Sequence, residues 1–484
     1  MADRSRAGIK AEFVLGKGRK PGAAPKPGTV FSVLVMADFG GHQARGEVRP
    51  GSELRLQRVD LDTFPSVLRK IAPRIQIGIG DQSPFTVTIE DMEGFHPDHL
   101  FANLDFFAPM RELRRQLLDA KAFPRAAALL GRVSDPPPPV GEPADGSDDL
   151  QRLLGRPSST GPTPAGAART VDALIRQAVA PHVVGKPDPR QEDLVKAVDG
   201  MSAELMRAVL HDSGFQRIEA AWRGLDRMLR ALELDESLQV FVLDASREEL
   251  AADFAAAPNL ADSAMYRIVV DHGGETPWSL LVAGDPCSRR QEDAALLARL
   301  GTLAQEVEAA VVAGMDWAAW TAASASLEDQ RAWAALRSST AATSIAVALP
   351  SILLRLPYGK ATDPIEGFAF FEQTSPPAVE RHLWGTASFV VAQLLAQSFA
   401  AAGGWDFAPG DDASVSDLPT YAFTQDGESV ETPCAQSWLP ESKIDALVKE
   451  GLMPLVAARG RGEVRVPRFQ SIASPPAALA GRWR

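Results

Sequence analysis

The chain has 484 residues, 45% of them apolar and 23% charged, enough material for a packed core and for two to four domains. Its formal net charge of -12 excludes nucleic acid as the main partner, because phosphate binding needs Lys and Arg clustered on the docking face. Its two cysteines, Cys287 and Cys434, stand far apart and outside any C-x-x-C spacing, so they make neither a disulfide framework nor a zinc knuckle and suit a reducing compartment.

Residues 1–28 form a basic tail, with Arg4, Arg6, Lys10, Lys17, Arg19, Lys20 and Lys26 against only Asp3 and Glu12. It lacks the apolar core of a signal peptide, so a cytoplasmic protein is expected. Within the tail, Glu12, Phe13, Val14 and Leu15 fit a strand added to another chain's sheet edge, and equally a solvated tail without a partner.

A first α/β domain is expected over residues 29–132. Phe31 to Met36 predicts a buried strand, and Asp38-Phe39-Gly40-Gly41 predicts a turn. Asp62 or Thr63 caps a helix carrying Phe64, Leu68 and Ile71 at i, i+4 and i+7, and Pro73 ends it. Alternation at Ile75, Ile77 and Ile79, and at Phe85, Val87 and Ile89, predicts two half-buried strands. Phe106, Met110, Leu113 and Leu117 mark an amphipathic helix.

Residues 133–169, rich in Pro, Gly and Ser, cannot bury enough apolar area to offset their chain entropy and read as a linker. A larger domain follows over residues 170–484. It opens with helical pattern from Val171 to about Leu232, then a strand at Leu238 to Leu243, a helix from Ser246, and strands near Tyr266 to Val270 and Trp278 to Val282. Helical signals dominate from Gln291 to Arg337 and from Val379 to Ala402. Helices alternating with apolar strands predict a mixed α/β (α+β) fold with a covered sheet. Gly385 to Trp405 carries no charge, but its Ala, Ser and Gly content with Gln393 and Gln397 reads as a buried helix and not a membrane span.

Catalytic motifs are missing from the pattern. Asp38-Phe39-Gly40 lacks every other part of a kinase, and Gly16-Lys17-Gly18 sits in the tail and not between a strand and a helix. His96 and His99 flank Pro97-Asp98; metal binding would need a third ligand, and capping by His96 and Asp98 with Pro97 at the first helical position is the stronger reading. Cys287 follows Gly284-Asp285-Pro286 at a strand end, where a nucleophile is feasible, yet no histidine base stands near it in sequence. Neither a cofactor nor a metal site is predicted. Large aromatics beside Arg and Gly, at Trp222-Arg223-Gly224, Tyr358-Gly359 and Trp384-Gly385, serve core packing or a subunit interface, and the sequence leaves both open.

The string Phe215-Gln216-Arg217-Ile218-Glu219-Ala220-Ala221-Trp222-Arg223-Gly224-Leu225 resembles the signature of the large sheath subunit of type VI secretion. Leu336-Arg337-Ser338, Ala348-Leu349-Pro350, Leu354 to Gly359, Phe371-Glu372, Leu383-Trp384-Gly385, Gly404-Trp405 and Gly451 to Leu455 follow in that family's order. Ala37 to Gly41, Val59 to Phe64, Ala72-Pro73 and Phe95 to Asp98 are similar to the small sheath subunit, so the chain resembles a fusion of both halves. The resemblance implies a structural, non-enzymatic component of a contractile sheath. It would assemble with homologous sheath subunits around an inner-tube protein, meet baseplate components and be recycled by an unfoldase. Exchanged strands link neighbours in such lattices, which suits Glu12 to Leu15. The family's large subunit continues beyond the Gly451 to Leu455 region into a further C-terminal portion, whereas this chain ends at Arg484. That leaves a second reading, a non-polymerising relative that caps, nucleates or links the sheath to its baseplate, and a third, a hydrolase built on Cys287 or the His96 and His99 pair.

Overall fold

The computed structural model describes residues 29–80, 83–134, 188–271, 277–322, 326–373, 378–408, 413–425 and 428–483. The expected exchange strand, Glu12 to Leu15, and the linker from residue 135 lie outside them.

One sheet organises the molecule. Its strands in chain order are β1 (Phe31–Ala37), β2 (Leu56–Val59), β3 (Leu238–Asp244), β4 (Trp278–Ala283), β5 (Ala310–Gly314), β6 (Ile345–Leu349) and β7 (Met453–Pro454), arranged in space as β7-β6-β5-β4-β1-β3-β2. All neighbours run parallel except the edge strand β2, which is antiparallel to β3. β1, close to the start of the chain, is therefore central: Val33 pairs with Val240 on one side and Leu280 on the other. Every residue of Phe31–Ala37 is buried, as expected of a strand with partners on both edges and cover on both faces.

The pleat sends alternate side chains to two cores. Phe31, Val33 and Val35 face a core shared with Val240, Val242 and Leu280, whereas Leu34 and Met36 face one shared with Leu281, Val311 and Val347. Four long helices are labelled here: α1 (Gln191–Leu210), α2 (Ser213–Arg230), α3 (Gln291–Glu306) and α4 (Ala387–Ala402). α2 and α4 cover the first face and α3 the second. α2 starts where the Asp212 carboxylate accepts from the backbone N–H groups of Gly214 and Phe215, and it buries Phe215, Ile218, Trp222, Leu225 and Leu229 along one stripe. α4 is apolar on nearly all sides because it lies inside, and it ends at Gly403, whose φ of 66° supplies the left-handed cap. No helix among the described residues is long and apolar enough to cross a membrane.

Two expected stretches of secondary structure differ from the structure, and neither Asp62 nor Thr63 makes a side-chain cap at Phe64–Ile71, because the Thr63 hydroxyl bonds Asp60 instead. Tyr266 to Val270 is not a strand: Ala264–Tyr266 forms a helical turn that continues into a π-turn over Arg267–Asp271. The cause is capping, since the Ser263 hydroxyl accepts from the Tyr266 N–H and the Asp253 carboxylate takes the N–H groups of Ala264 and Met265. Conversely, β5 interrupts the stretch expected to be mainly helical. A short apolar run such as Ala310-Val311-Val312-Ala313 suits helix or strand equally, and here the open edges of β4 and β6 on either side make it a strand.

Beside the sheet, the helices Ala108–Leu118 and Phe123–Ser134 pack on α1 through Leu117, Phe123, Ala126 and Val198. Arg114 Nε and Asp199 Oδ1, 2.7 Å apart, fix the same contact.

Candidate functional site

The resemblance string lies on α2, and its polar members meet distant residues in a buried ionic clamp. Glu219 is fully buried and accepts from Arg223 Nε one helical turn later at 2.7 Å and from Arg355 Nε at 2.8 Å. Arg355 continues as a fork onto Glu372, with Nη1 at 2.7 Å from Oε2 and Nη2 at 3.2 Å from Oε1. The backbone N–H of Tyr358 donates to the same Glu372 carboxylate at 2.8 Å. The Arg355 guanidinium lies over the Tyr358 ring at 4.2 Å, and Arg223 Nη2 lies 3.3 Å from the Tyr358 hydroxyl.

Burial alone would push the Glu372 carboxyl upward. The charge of Arg355, with help from His211 and the Tyr358 N–H, outweighs it and holds the carboxyl at about 2. Burial raises the Tyr358 phenol. His382, almost fully buried and with neither ring nitrogen hydrogen-bonded among the described residues, is pushed down to about 4 by burial. Glu372 thus stays ionised at neutral pH, and both acids of the clamp, Glu219 and Glu372, are answered by a guanidinium. Its physical effect is to tie α2 to the segments at 355–358 and 372.

Trp222 is completely buried against Phe39 and Phe64, with ring centroids 4.9 and 5.5 Å away. Gly224 sits where α2 meets α4, and a Cβ there would stand 2.7 Å from the Phe389 ring. Trp384 is half-buried, pairs with Leu353, and donates its indole N–H to the Val379 carbonyl at 3.1 Å.

His96 caps the helix Pro97–Asn103 by accepting from the Asp98 N–H at 3.2 Å. Asp98 does not cap; its carboxylate receives the N–H groups of Glu366 and Gly367. His99 is exposed and brings no second ligand to His96. Burial pushes the Cys287 thiol up to about 12, so it stays protonated at neutral pH.

A second charged cluster stands at the carboxyl ends of β1, β3 and β4, where open α/β sheets commonly bind ligands. The Asp38 carboxylate accepts from the N–H groups of His42 and Gln43 at 2.7 and 3.0 Å, and lies 3.2 Å from His42 Nδ1. Asp244 accepts from the Gly40 N–H at 2.7 Å and meets Arg49 at 3.2 Å, while Arg49 also holds Glu249 at 2.7 Å. Asp285 accepts from the Asp38 N–H at 3.1 Å. Burial raises Asp244 and takes Asp285 to about 6; Asp38 is lowered, because its hydrogen bonds with His42 and Gln43 outweigh burial.

Asp38, His42 and Asp244 form the one set of three metal-ligand types that converges among the described residues, with donor atoms within 4.8 Å of one another. Both Asp38 oxygens and Asp244 Oδ1 already accept from backbone N–H groups, and Asp244 Oδ2 accepts from the Arg49 guanidinium. The cluster therefore reads as a lock that fills the crevice. Sequence reasoning missed it, although one signal was present: an acid ends each of three strands or follows it within two residues, at Asp38, Asp244 and Asp285.

Residues 192–473, more than half of the chain, match the VipB family, described as EvpB/VC_A0108, tail sheath N-terminal domain. Residues 21–125 match a second family, described as type VI secretion system, VipA, VC_A0107 or Hcp2. The chain is also 25% identical over 339 residues to the type VI secretion system sheath protein TssC1 of Pseudomonas aeruginosa, an alignment that covers 64% of this chain and 68% of that one. The ionic clamp lies wholly within the first match, and Asp38 and His42 lie within the second.

Proposed function

We propose, from the premise that this chain belongs to the VipB tail-sheath family, that it is a structural subunit of a type VI secretion sheath carrying small- and large-subunit parts in one molecule. The observation that carries this reading is the placement of β1. A strand from the small-subunit-like match completes the centre of a sheet built otherwise, β2 aside, from the large-subunit-like match. Such a subunit moves as one body, which contraction requires if the free energy resides in the contacts between subunits.

In this reading the subunits assemble around an inner tube in the cytoplasm, the sheath end meets a baseplate, and an unfoldase recycles the contracted form. Glu12 to Leu15 of one copy adds to a sheet edge of the next. The hairpin formed by Tyr421–Gln425 and Glu428–Thr432 supports this: its strands pair only with each other among the described residues, so both outer edges are open. Trp222, Gly224 and the clamp serve internal rigidity, with no catalytic or cofactor role assigned.

Negative-stain electron microscopy of the purified protein, alone and with the inner-tube and separate sheath proteins of its host, tests the reading. Regular tubes are the expected result. Discrete particles that bind only to sheath or baseplate ends would replace it with an accessory role, and a monomer that ignores all partners would overturn it. Deleting residues 1–20 is expected to leave the fold intact and weaken assembly; unchanged assembly would defeat the strand-exchange part.

A further inference from the structure

A groove of about 590 Å³ runs between α2, α4 and the segment at Ser414 to Pro419. Three arginines of α2 line it, Arg223, Arg227 and Arg230, spaced to share one face of the helix. Two of them are already paired: Arg223 with Glu219 at 2.7 Å, and Arg230 with Asp226 at 2.8 Å. Arg227 is different. It donates to the Ser416 carbonyl at 3.0 Å, forms no salt bridge among the described residues, and its Nε is buried without a hydrogen-bond partner. Burial weakens its hold on the proton, and Asp417 offsets this only in part. A half-buried guanidinium with an unanswered donor favours a carboxylate that offers two oxygens in its plane.

The chain carries such carboxylates. Between Arg132 and Arg152 stand Asp135, Glu142, Asp145, Asp148 and Asp149, and no Lys or Arg. This acidic run begins next to the helix Phe123–Ser134, which packs on α1, and α1 leads within three residues into α2. The tether keeps its carboxylates at high effective concentration near α2.

We infer that the groove is an intramolecular docking site in which Arg227 binds a carboxylate of the acidic run from Asp135 to Asp149. Docking would hold the linker against the joint of α2 and α4 and limit its reach toward neighbouring chains. The inference stands on the groove and the charge pattern, and is independent of the sheath reading.

Cleavage by trypsin after Arg152, which follows Asp149 by three residues and precedes Leu153, monitored on the full chain by mass spectrometry, is the test. In Arg227→Gln the initial rate is expected to rise about tenfold, the scale of one lost charge-assisted hydrogen bond. Arg227→Lys, which keeps the charge without the planar fork, is expected to fall between. Raised salt should speed cleavage of the unaltered chain and leave Arg227→Gln unaffected. Circular dichroism melting confirms that each variant is folded; if Arg227→Gln does not fold, neutralising Asp145, Asp148 and Asp149 to Asn must release the bond after Arg152 equally. An unchanged rate in the folded variants overturns the inference. Protection that depends on protein concentration would assign the run to a second copy and overturn the intramolecular docking.

Discussion

Trp222 donates its indole N–H to the backbone carbonyl of Phe39 at 3.1 Å, a bond across 183 positions of sequence that ties the large-subunit-like match to the small-subunit-like one. Phe39 lies just beyond β1, so the same contact fastens α2 over the centre of the sheet. The two matched segments consequently share a core as well as a sheet.

Replacing Trp222 should therefore act on both segments at once. Trp222→Phe retains most of the packing and loses the hydrogen bond, for an expected cost of about 1 to 2 kcal/mol, whereas Trp222→Ala should cost about 3 to 5 kcal/mol. Urea unfolding followed by fluorescence and by circular dichroism should show one coincident transition shifted to lower urea. Separate transitions for the two segments would contradict a shared core.

Two glycines in helices should respond with opposite sign. At Gly224 an added methyl meets the Phe389 ring at 2.7 Å, so Gly224→Ala should destabilise by about 1 to 3 kcal/mol despite the better helix former. At Gly200 of α1 nothing among the described residues lies within 4 Å of the added carbon, and Gly200→Ala should stabilise by about 0.5 to 1 kcal/mol. Thermal melting of the two variants decides this, and equal shifts would show that the α2–α4 contact is looser than described.

The contributions of His382 and Glu372 to stability should be lost in acid in two stages, against an opposing gain from Asp285, whose value near 6 lets the folded chain take up that proton first as pH falls from about 6 toward 3.8. His382 has a folded value near 4 against an ordinary 6.5, so the unfolded chain takes up its proton first and stability declines as pH falls from about 6.5 to 4. Glu372 has a folded value near 2 against 4.5, so its contribution is complete above about 4.5 and is lost as pH falls toward 2. Urea midpoints measured from pH 7.5 downward in the unaltered chain and in His382→Phe, which share the Asp285 contribution, should separate the upper decline by difference. His382→Phe should remove much of the upper one, and an unchanged profile in that variant would show that His382 is not its source.

Breaking the clamp from one side should be costly. Arg355→Met leaves Glu219 and Glu372 buried without their shared partner, for an expected loss of about 3 to 5 kcal/mol, whereas Arg355→Met with Glu372→Gln should recover part of it. A double-mutant cycle by urea denaturation measures the coupling. Strict additivity would mean that the two residues do not act together.

Both cysteines should be silent toward thiol reagents in the native protein. Burial raises Cys287 to about 12 and Cys434 to about 11, and both are enclosed. Maleimide labelling at pH 8 should wait on unfolding; modification of Cys287 within minutes would reopen a chemical role for it.

Local chemistry determined a good deal by itself. The apolar run at Phe31, the Asp212 and Ser246 caps, the alternation at Ile75 and Ile77, the His96 cap and the uncharged buried α4 follow from interactions within a few residues. The order of aromatic, Arg and Gly strings from Phe215 to Leu455 also carried the family resemblance. Tertiary structure alone decided that β1 enters between β3 and β4, that Ala310 to Gly314 is a strand, and that Glu219, Arg355 and Glu372 share one clamp. Asp38 reads in sequence as one acid in a turn, and only the arrival of Asp244 and Asp285 from strands some 200 residues away makes it part of a lock. The physical reason is range. Caps and periodicity act over one or two helical turns, whereas strand neighbours and buried ion pairs depend on which edges and charges the whole chain leaves to be satisfied.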